Sequence, residues 1–242
     1  MRRDAPVALL LAAALAARAA AAPAPGRVIV LDPGHGGYDW GATNKQGQLE
    51  KDLCLVMARK VKALLEKETG AKVLLTRDSD TFLRLDERVR ASVDLDADVF
   101  VSLHANQTRN KKAQGMTVYS FGGRGTAARR RRRRSGLPQL PPPPKVQSEE
   151  SAALAGALVA DLRSAGLRVD PIARAHYYVL KNPEAPSVLV EMGYLSNADE
   201  ARQLADPAYQ DRVASTLSHS LAGYLARVST APADELTALK TK

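Results

Sequence analysis

Apolar positions recur along this chain in two rhythms. Short dense runs at residues 27–31 (RVIVL), 72–76 (KVLLT), 98–103 (DVFVSL), 116–121 (MTVYSF) and 187–190 (SVLV) read as buried strands. Between them the spacing widens to that of a helix. Residues 51–67 place Leu53, Val56, Met57, Val61, Leu64 and Leu65 at helical intervals, and Gly70 supplies a stop. The same spacing predicts helices over 83–95, 149–164 and 207–228. Strands alternating with helices predict an α/β fold: a single domain with a mostly parallel twisted sheet and helices on both faces. In such sheets ligands bind beyond the carboxyl ends of the strands.

The pattern fails in two places. Residues 1–22 carry Arg2 and Arg3, an apolar run over 7–17 and small residues up to Ala22, which reads as a signal peptide. The run is too short to cross a bilayer, which takes about 20 residues. Export follows, with the periplasm favoured over full secretion because no wall-binding repeat is present. The domain then covers 23–230, and 231–242 forms a tail. The second break is a low-complexity insertion over 122–147, with six arginines in an unbroken run from Arg129 to Arg134, then four prolines. Such a segment cannot pack into a core.

Charge changes this picture little. The formal net charge is +9, and the six arginines supply most of it. The body is nearly neutral and the arginines lack interleaved aromatics, so no nucleic-acid partner is expected. Contact of the arginine run with an anionic surface such as wall polymer, lipopolysaccharide or lipid is the remaining charge-based expectation. The single cysteine, Cys54, excludes an intrachain disulfide and sits in a helical pattern, where it reads as a small buried residue.

Candidate chemistry gathers where strands end. Asp32-Pro33-Gly34-His35-Gly36-Gly37 follows the first strand, and glycine there lets the backbone come close to a bound group. His104-Ala105-Asn106 follows the third. Glu50 opens the first long helix. Two histidines and a carboxylate with an open fourth position form a common catalytic zinc set; hydrogen-bonded structural histidines are the plain alternative. Glu191 ends the apolar strand Val188-Leu189-Val190. A carboxylate there is costly unless it is paired or used as an acid/base group. Asp32 and Asn106 flank the ligands, either orienting them or, for Asp32, capping the turn. His176 and His219 have no motif around them and read as structural or exposed.

Taken in order, these stretches resemble the zinc-dependent N-acetylmuramoyl-L-alanine amidases, the type that includes bacterial cell-division amidases. The resemblance rests on Asp32 to Gly37, on Glu50 before a helix, on Thr76-Arg77 with the arginine-containing stretch 85–90, on Ser102 to Asn106, and on Val179-Leu180, Pro186 and Leu189 to Asn197. It implies a phosphorylase/hydrolase-like α/β fold, zinc held by His35, Glu50 and His104, and Glu191 as the catalytic acid/base. The substrate implied is the amide bond between N-acetylmuramic acid and L-alanine in peptidoglycan, cut by a monomeric enzyme with room for a protein activator. A silent or autoinhibited wall-binding protein of the same fold is the alternative. In some relatives an insertion near 122–147 covers the zinc; here Glu149 or Glu150 would be the blocking ligand.

Overall fold

The computed structural model describes residues 26–123 and 136–230. The expected leader, the arginine run and the C-terminal tail lie outside the described residues. Six strands form one sheet: β1 Val28–Pro33, β2 Lys72–Leu75, β3 Val99–Asn106, β4 Thr117–Phe121, β5 Ala173–Ala175 and β6 Ser187–Tyr194. Five helices pack with it: α1 Glu50–Thr69, α2 Leu85–Asp94, α3 Lys145–Ser164, α4 Ala198–Ala205 and α5 Pro207–Thr230. The strand order is β2-β1-β3-β6-β4-β5. Strands β2, β1, β3 and β6 run parallel, β4 is antiparallel to β6, and β5 is parallel to β4. The expected α/β fold with a mostly parallel sheet is therefore found.

The strands alternate because both sheet faces are buried. Ile29, Leu31, Val99, Val101, Val188 and Val190 point into the larger core under α1, α3 and α5. Val30, Phe100 and Leu189 point to the opposite face, against Val179, Leu180 and Phe121. Each fully buried large apolar side chain contributes roughly 1.5–3 kcal/mol of transfer free energy. The central strands β1, β3 and β6 are buried on both sides and form a rigid platform for whatever their carboxyl ends carry. Helix α1 closes at Gly70, whose φ of 65° lets its N–H reach the Glu66 carbonyl at 3.1 Å.

Several elements depart from the sequence reading. β3 and β6 run on past their apolar runs, so His104 and Glu191 lie inside strands rather than after them. α3 begins at Lys145 with Pro144 as its N-cap, so the last residues of the expected insertion are already helical. Proline can sit there because the position needs no N–H. The short elements β5, the 3-10 turn Val179–Lys181 and α4 had no long periodic run to announce them.

Candidate metal centre and catalytic cleft

Parallel pairing of β1, β3 and β6 brings their carboxyl ends to one edge. His104 is directly opposite Glu191 in the β3–β6 register, so their side chains leave the same sheet face. His35 follows β1 in a tight turn and adopts a left-handed φ of 60°. Gly34 allows this turn to lie against His104: a Cβ there would stand 2.3 Å from the imidazole. Gly41, at φ 67°, lets the return of the loop pass Glu50, and a Cβ there would meet its Oε2 at 2.6 Å. Glu50 is the first residue of α1, which fixes its direction toward the same edge.

These placements converge. One oxygen of Glu50, Oε1, lies 3.0 Å from His35 Nε2 and 2.9 Å from His104 Nδ1. The other, Oε2, accepts the Ala42 N–H at 2.7 Å and is held away from the centre. The histidine rings meet edge to face with centroids 4.9 Å apart. His35 Nδ1 sits 2.9 Å from Asp39 Oδ2 without hydrogen-bond alignment. Donor atoms from His35, Glu50 and His104 all fall within 4.8 Å of one another. Two imidazole nitrogens and one inward carboxylate oxygen fit a four-coordinate zinc ion with one position left for water or substrate.

The electrostatics separate the two glutamates. Burial pushes the Glu50 carboxyl up, but His104 and His35 overcome this and hold it well below the usual carboxylate range. Burial would lower His35, yet the carboxylates of Glu50 and Asp39 leave it raised. Glu191 is governed by burial: its carboxyl is pushed up to about 7, with His104 pulling down, Glu50 pushing up and His35 pulling down. Its Oε2 is buried and has no hydrogen-bond partner. A carboxyl that is poised near neutrality and unpaired beside a metal donor set is suited to carry a proton.

Beneath the donors lies a second polar layer. Asp32 is fully buried and accepts hydrogen bonds from Thr76 Oγ1 at 2.6 Å, Ser102 Oγ at 2.7 Å and Arg88 at 2.8 Å. Arg88 also donates to the carbonyls of Pro33 and His35, at 2.7 and 2.6 Å. Arg77 donates to the carbonyls of Pro33, Gly34 and Lys51. The two arginines thus pin the His35 turn to the start of α1. Of the two readings of Asp32, neither is met directly: it touches no donor side chain and acts through Arg88. The roles of Arg77 and Arg88 were missed in the sequence, although both lie in the stretches that carried the family resemblance.

The donors open into a cleft of about 660 Å3 lined by Glu191, Asn106, Phe82, Leu85, Tyr177 and Tyr178. Asn106 lies on its wall and accepts the Gln107 N–H rather than holding a donor. His176 is elsewhere, with Nε2 2.7 Å from the Gly123 carbonyl, and His219 is exposed on α5. Cys54 is buried on α1, and burial pushes its thiol well up. The idea of Glu149 or Glu150 as a blocking ligand is overturned by position. Glu150 lines a depression with Arg27, Asp98 and Pro186, the residues that precede β1, β3 and β6, at the amino edge of the sheet. Glu149 sits one residue earlier in α3, with Lys145 Nζ 3.7 Å away.

Fold and site together define an α/β protein with a donor set for one metal ion at the carboxyl edge of its sheet, beside a buried carboxyl. Residues 29–222 match the family model described as N-acetylmuramoyl-L-alanine amidase, and the chain belongs to that family. It is 32% identical to the N-acetylmuramoyl-L-alanine amidase AmiC of Escherichia coli O6:H1 over 84% of this chain, and spans 56% of AmiC's length. The catalytic domain of CwlV, an N-acetylmuramoyl-L-alanine amidase from Bacillus (Paenibacillus) polymyxa var. colistinus, superposes with a TM-score of 0.68 at 33% identity. That match covers 82% of this chain and 98% of CwlV's. The CwlD amidase of Clostridioides difficile, solved in complex with the GerS lipoprotein, gives a TM-score of 0.64 at 27% identity, over 83% of this chain and 99% of CwlD's.

Proposed function

We propose that this chain hydrolyses the amide bond between N-acetylmuramic acid and L-alanine in peptidoglycan, with zinc held by His35, Glu50 and His104 and with Glu191 as the catalytic acid/base. The observation that carries the reading is the unpaired Glu191 Oε2 beside three donors that already converge. When bound there, zinc supplies a Lewis acid for the amide carbonyl and lowers the pKa of water. Glu191 accepts a proton from the attacking water at its carboxylate and delivers it to the departing L-alanine nitrogen. Its rise to about 7 suits both halves of that exchange. Arg77 and Arg88 keep the His35 turn in register with α1, which holds the donors close to one another. Asn106 and Tyr177 face the cleft and offer hydrogen bonds to the bound substrate.

The catalytic unit is residues 23–230 after loss of the leader, acting in the periplasm on wall material. Among the described residues no helix is long and apolar enough to cross a membrane. A protein activator fits this reading, since CwlD is found with a lipoprotein partner. The test is incubation of the chain with purified peptidoglycan and mass spectrometry of the released material. Free peptides beginning with L-alanine, lost on chelation and restored by zinc, are expected. A folded, zinc-loaded sample that releases none, with or without a candidate activator, would leave the silent wall-binding alternative.

A further inference from the structure

A second depression, about 570 Å3 in volume, lies at the same edge of the sheet. Its lining includes Lys45, Lys111, Lys112, Gln46, Gln114 and Asn197. Each of its three walls continues an element that carries the candidate site. Residues 43–46 belong to the loop between His35 and Glu50, residues 111–114 follow β3, and residues 195–199 follow β6. The walls are tied together: the Leu195 N–H donates to the Asn106 carbonyl at 2.9 Å, the Thr108 N–H to Ser196 Oγ at 3.1 Å, and Asn197 Nδ2 to the Ala113 carbonyl at 3.1 Å. On the side of the metal donors, Ala42 holds Glu50 Oε2 and adjoins Thr43 of the groove.

The charge of this groove is one-sided. Lys45, Lys111 and Lys112 are exposed, and among the described residues none of them is in an ion pair. The one acid in the lining, Asp199, is already paired with Arg202. The cleft beyond the donors differs: among the described residues no lysine lines it, its acids outnumber its one arginine, Arg88, and Phe82, Leu85 and Tyr177 give it apolar walls. A sugar–peptide amide has two dissimilar halves: an uncharged ring with apolar faces, and a peptide that brings free carboxylates.

We infer that the lysine groove receives the carboxylates of an acidic stem peptide and so fixes which side of the scissile amide faces each depression. This rests on the amidase reading for the identity of the peptide, while the charge complementarity stands on the groove itself. The ammonium groups act at the rim, where they steer and register the peptide; screening by salt weakens such contacts.

The test uses the full chain and a fluorescent tetrapeptide with an L-alanine amino terminus and two free carboxylates, read by anisotropy. Its bis-carboxamide serves as the neutral probe. The variant Lys45→Gln/Lys111→Gln/Lys112→Gln should bind the acidic peptide on the order of 10-fold more weakly than wild type. The bis-carboxamide should bind wild type as weakly as the acidic peptide binds that variant. A remote variant with the same charge change, Lys67→Gln/Lys72→Gln/Lys145→Gln, should bind like wild type. Equal affinity of wild type and the groove variant, equal loss in the remote variant, or no binding by wild type overturns the inference. Peptide release from wall is measured in parallel. Lysine-dependent binding without release, with or without a candidate activator, would fail the amidase reading and leave the groove standing; release with lysine-independent binding would do the reverse.

Discussion

Two polar layers lie within a few residues of each other at the carboxyl edge of the sheet, and they are built on opposite rules. The lower layer, Asp32 with Arg77 and Arg88, is buried and saturated with partners. The upper layer, His35, Glu50, His104 and Glu191, crowds donors together and leaves Glu191 Oε2 with none. A buried polar group without a partner costs free energy, so a fold tolerates it only where surrounding structure fixes it in place. The saturated layer fixes the His35 turn against the start of α1, and pairing of β6 with β3 and β4 fixes Glu191. The difference teaches where to look for chemistry: not at buried charge as such, since both layers have it, but at buried charge left incomplete.

The sharpest way to break the comparison is to neutralise the incomplete group. Glu191→Gln should lower peptide release by ~10²–10⁴-fold while zinc content by metal analysis stays at the wild-type level. Near-wild-type turnover would remove Glu191 from the proton path. Breaking the complete layer should act on stability instead. Arg88→Met leaves Asp32 buried without its cation and should cost ~3–5 kcal/mol in denaturant unfolding. A loss well under 1 kcal/mol would show that Asp32 finds other partners.

The layers should also respond to acid with opposite sign in zinc-free protein. The pKa of Asp32 is lowered in the fold: burial opposes this, but Arg88, Thr76 and Ser102 prevail. Its contribution is therefore complete above its ordinary 3.8 and is lost as pH falls through the lowered value. Glu191 sits at about 7 against an ordinary 4.5, so its contribution is complete below 4.5 and is lost as pH rises through 7. Glu191→Gln should then stabilise the zinc-free chain at pH 8 by on the order of 1–3 kcal/mol relative to its effect at pH 4. Thermal melts at the two pH values check this, and a pH-independent effect would contradict it. The smallest effect belongs outside both layers. Asn197 caps α4 by accepting the Asp199 and Glu200 N–H groups at 2.9 and 3.3 Å, and Asn197→Ala should cost ~1 kcal/mol with zinc binding retained.

Much of this was legible in the sequence because it is local. Apolar runs marked β1, β2, β3, β4 and β6, and the glycines around His35 marked a turn where a side chain could meet a ligand. The convergence of His35, Glu50 and His104 was readable as two strand ends and a helix start, and as what the family resemblance implies; the parallel register sets the distances. The lower layer was readable only in part: Asp32 stood out beside the ligand turn, but its arginine partner did not. Arg88 sits in an amphipathic helix among charged neighbours and looks like one more exposed residue; only tertiary packing turns it inward to Asp32. Helix α4 did carry a signal, an asparagine cap followed three residues later by Glu200, but eight residues give little periodicity to weigh. α3 starts before the predicted residue 149 because the prolines ahead of Lys145 read as the interior of a loop rather than as a helix entrance.

Gly34 carries one more consequence. A Cβ there would stand 2.3 Å from the His104 ring, so this single hydrogen sets the spacing between the turn after β1 and strand β3, far apart in sequence. Directed evolution of the active-site loops is thereby channelled. Exposed positions such as Tyr38 and Trp40 can be diversified, but Gly41 and Ala42 hold Glu50 in place, and a library that varies position 34 spends its members on displaced imidazoles. At this edge the positions without a side chain, Gly34 and Gly36 above all, leave a designer the least freedom.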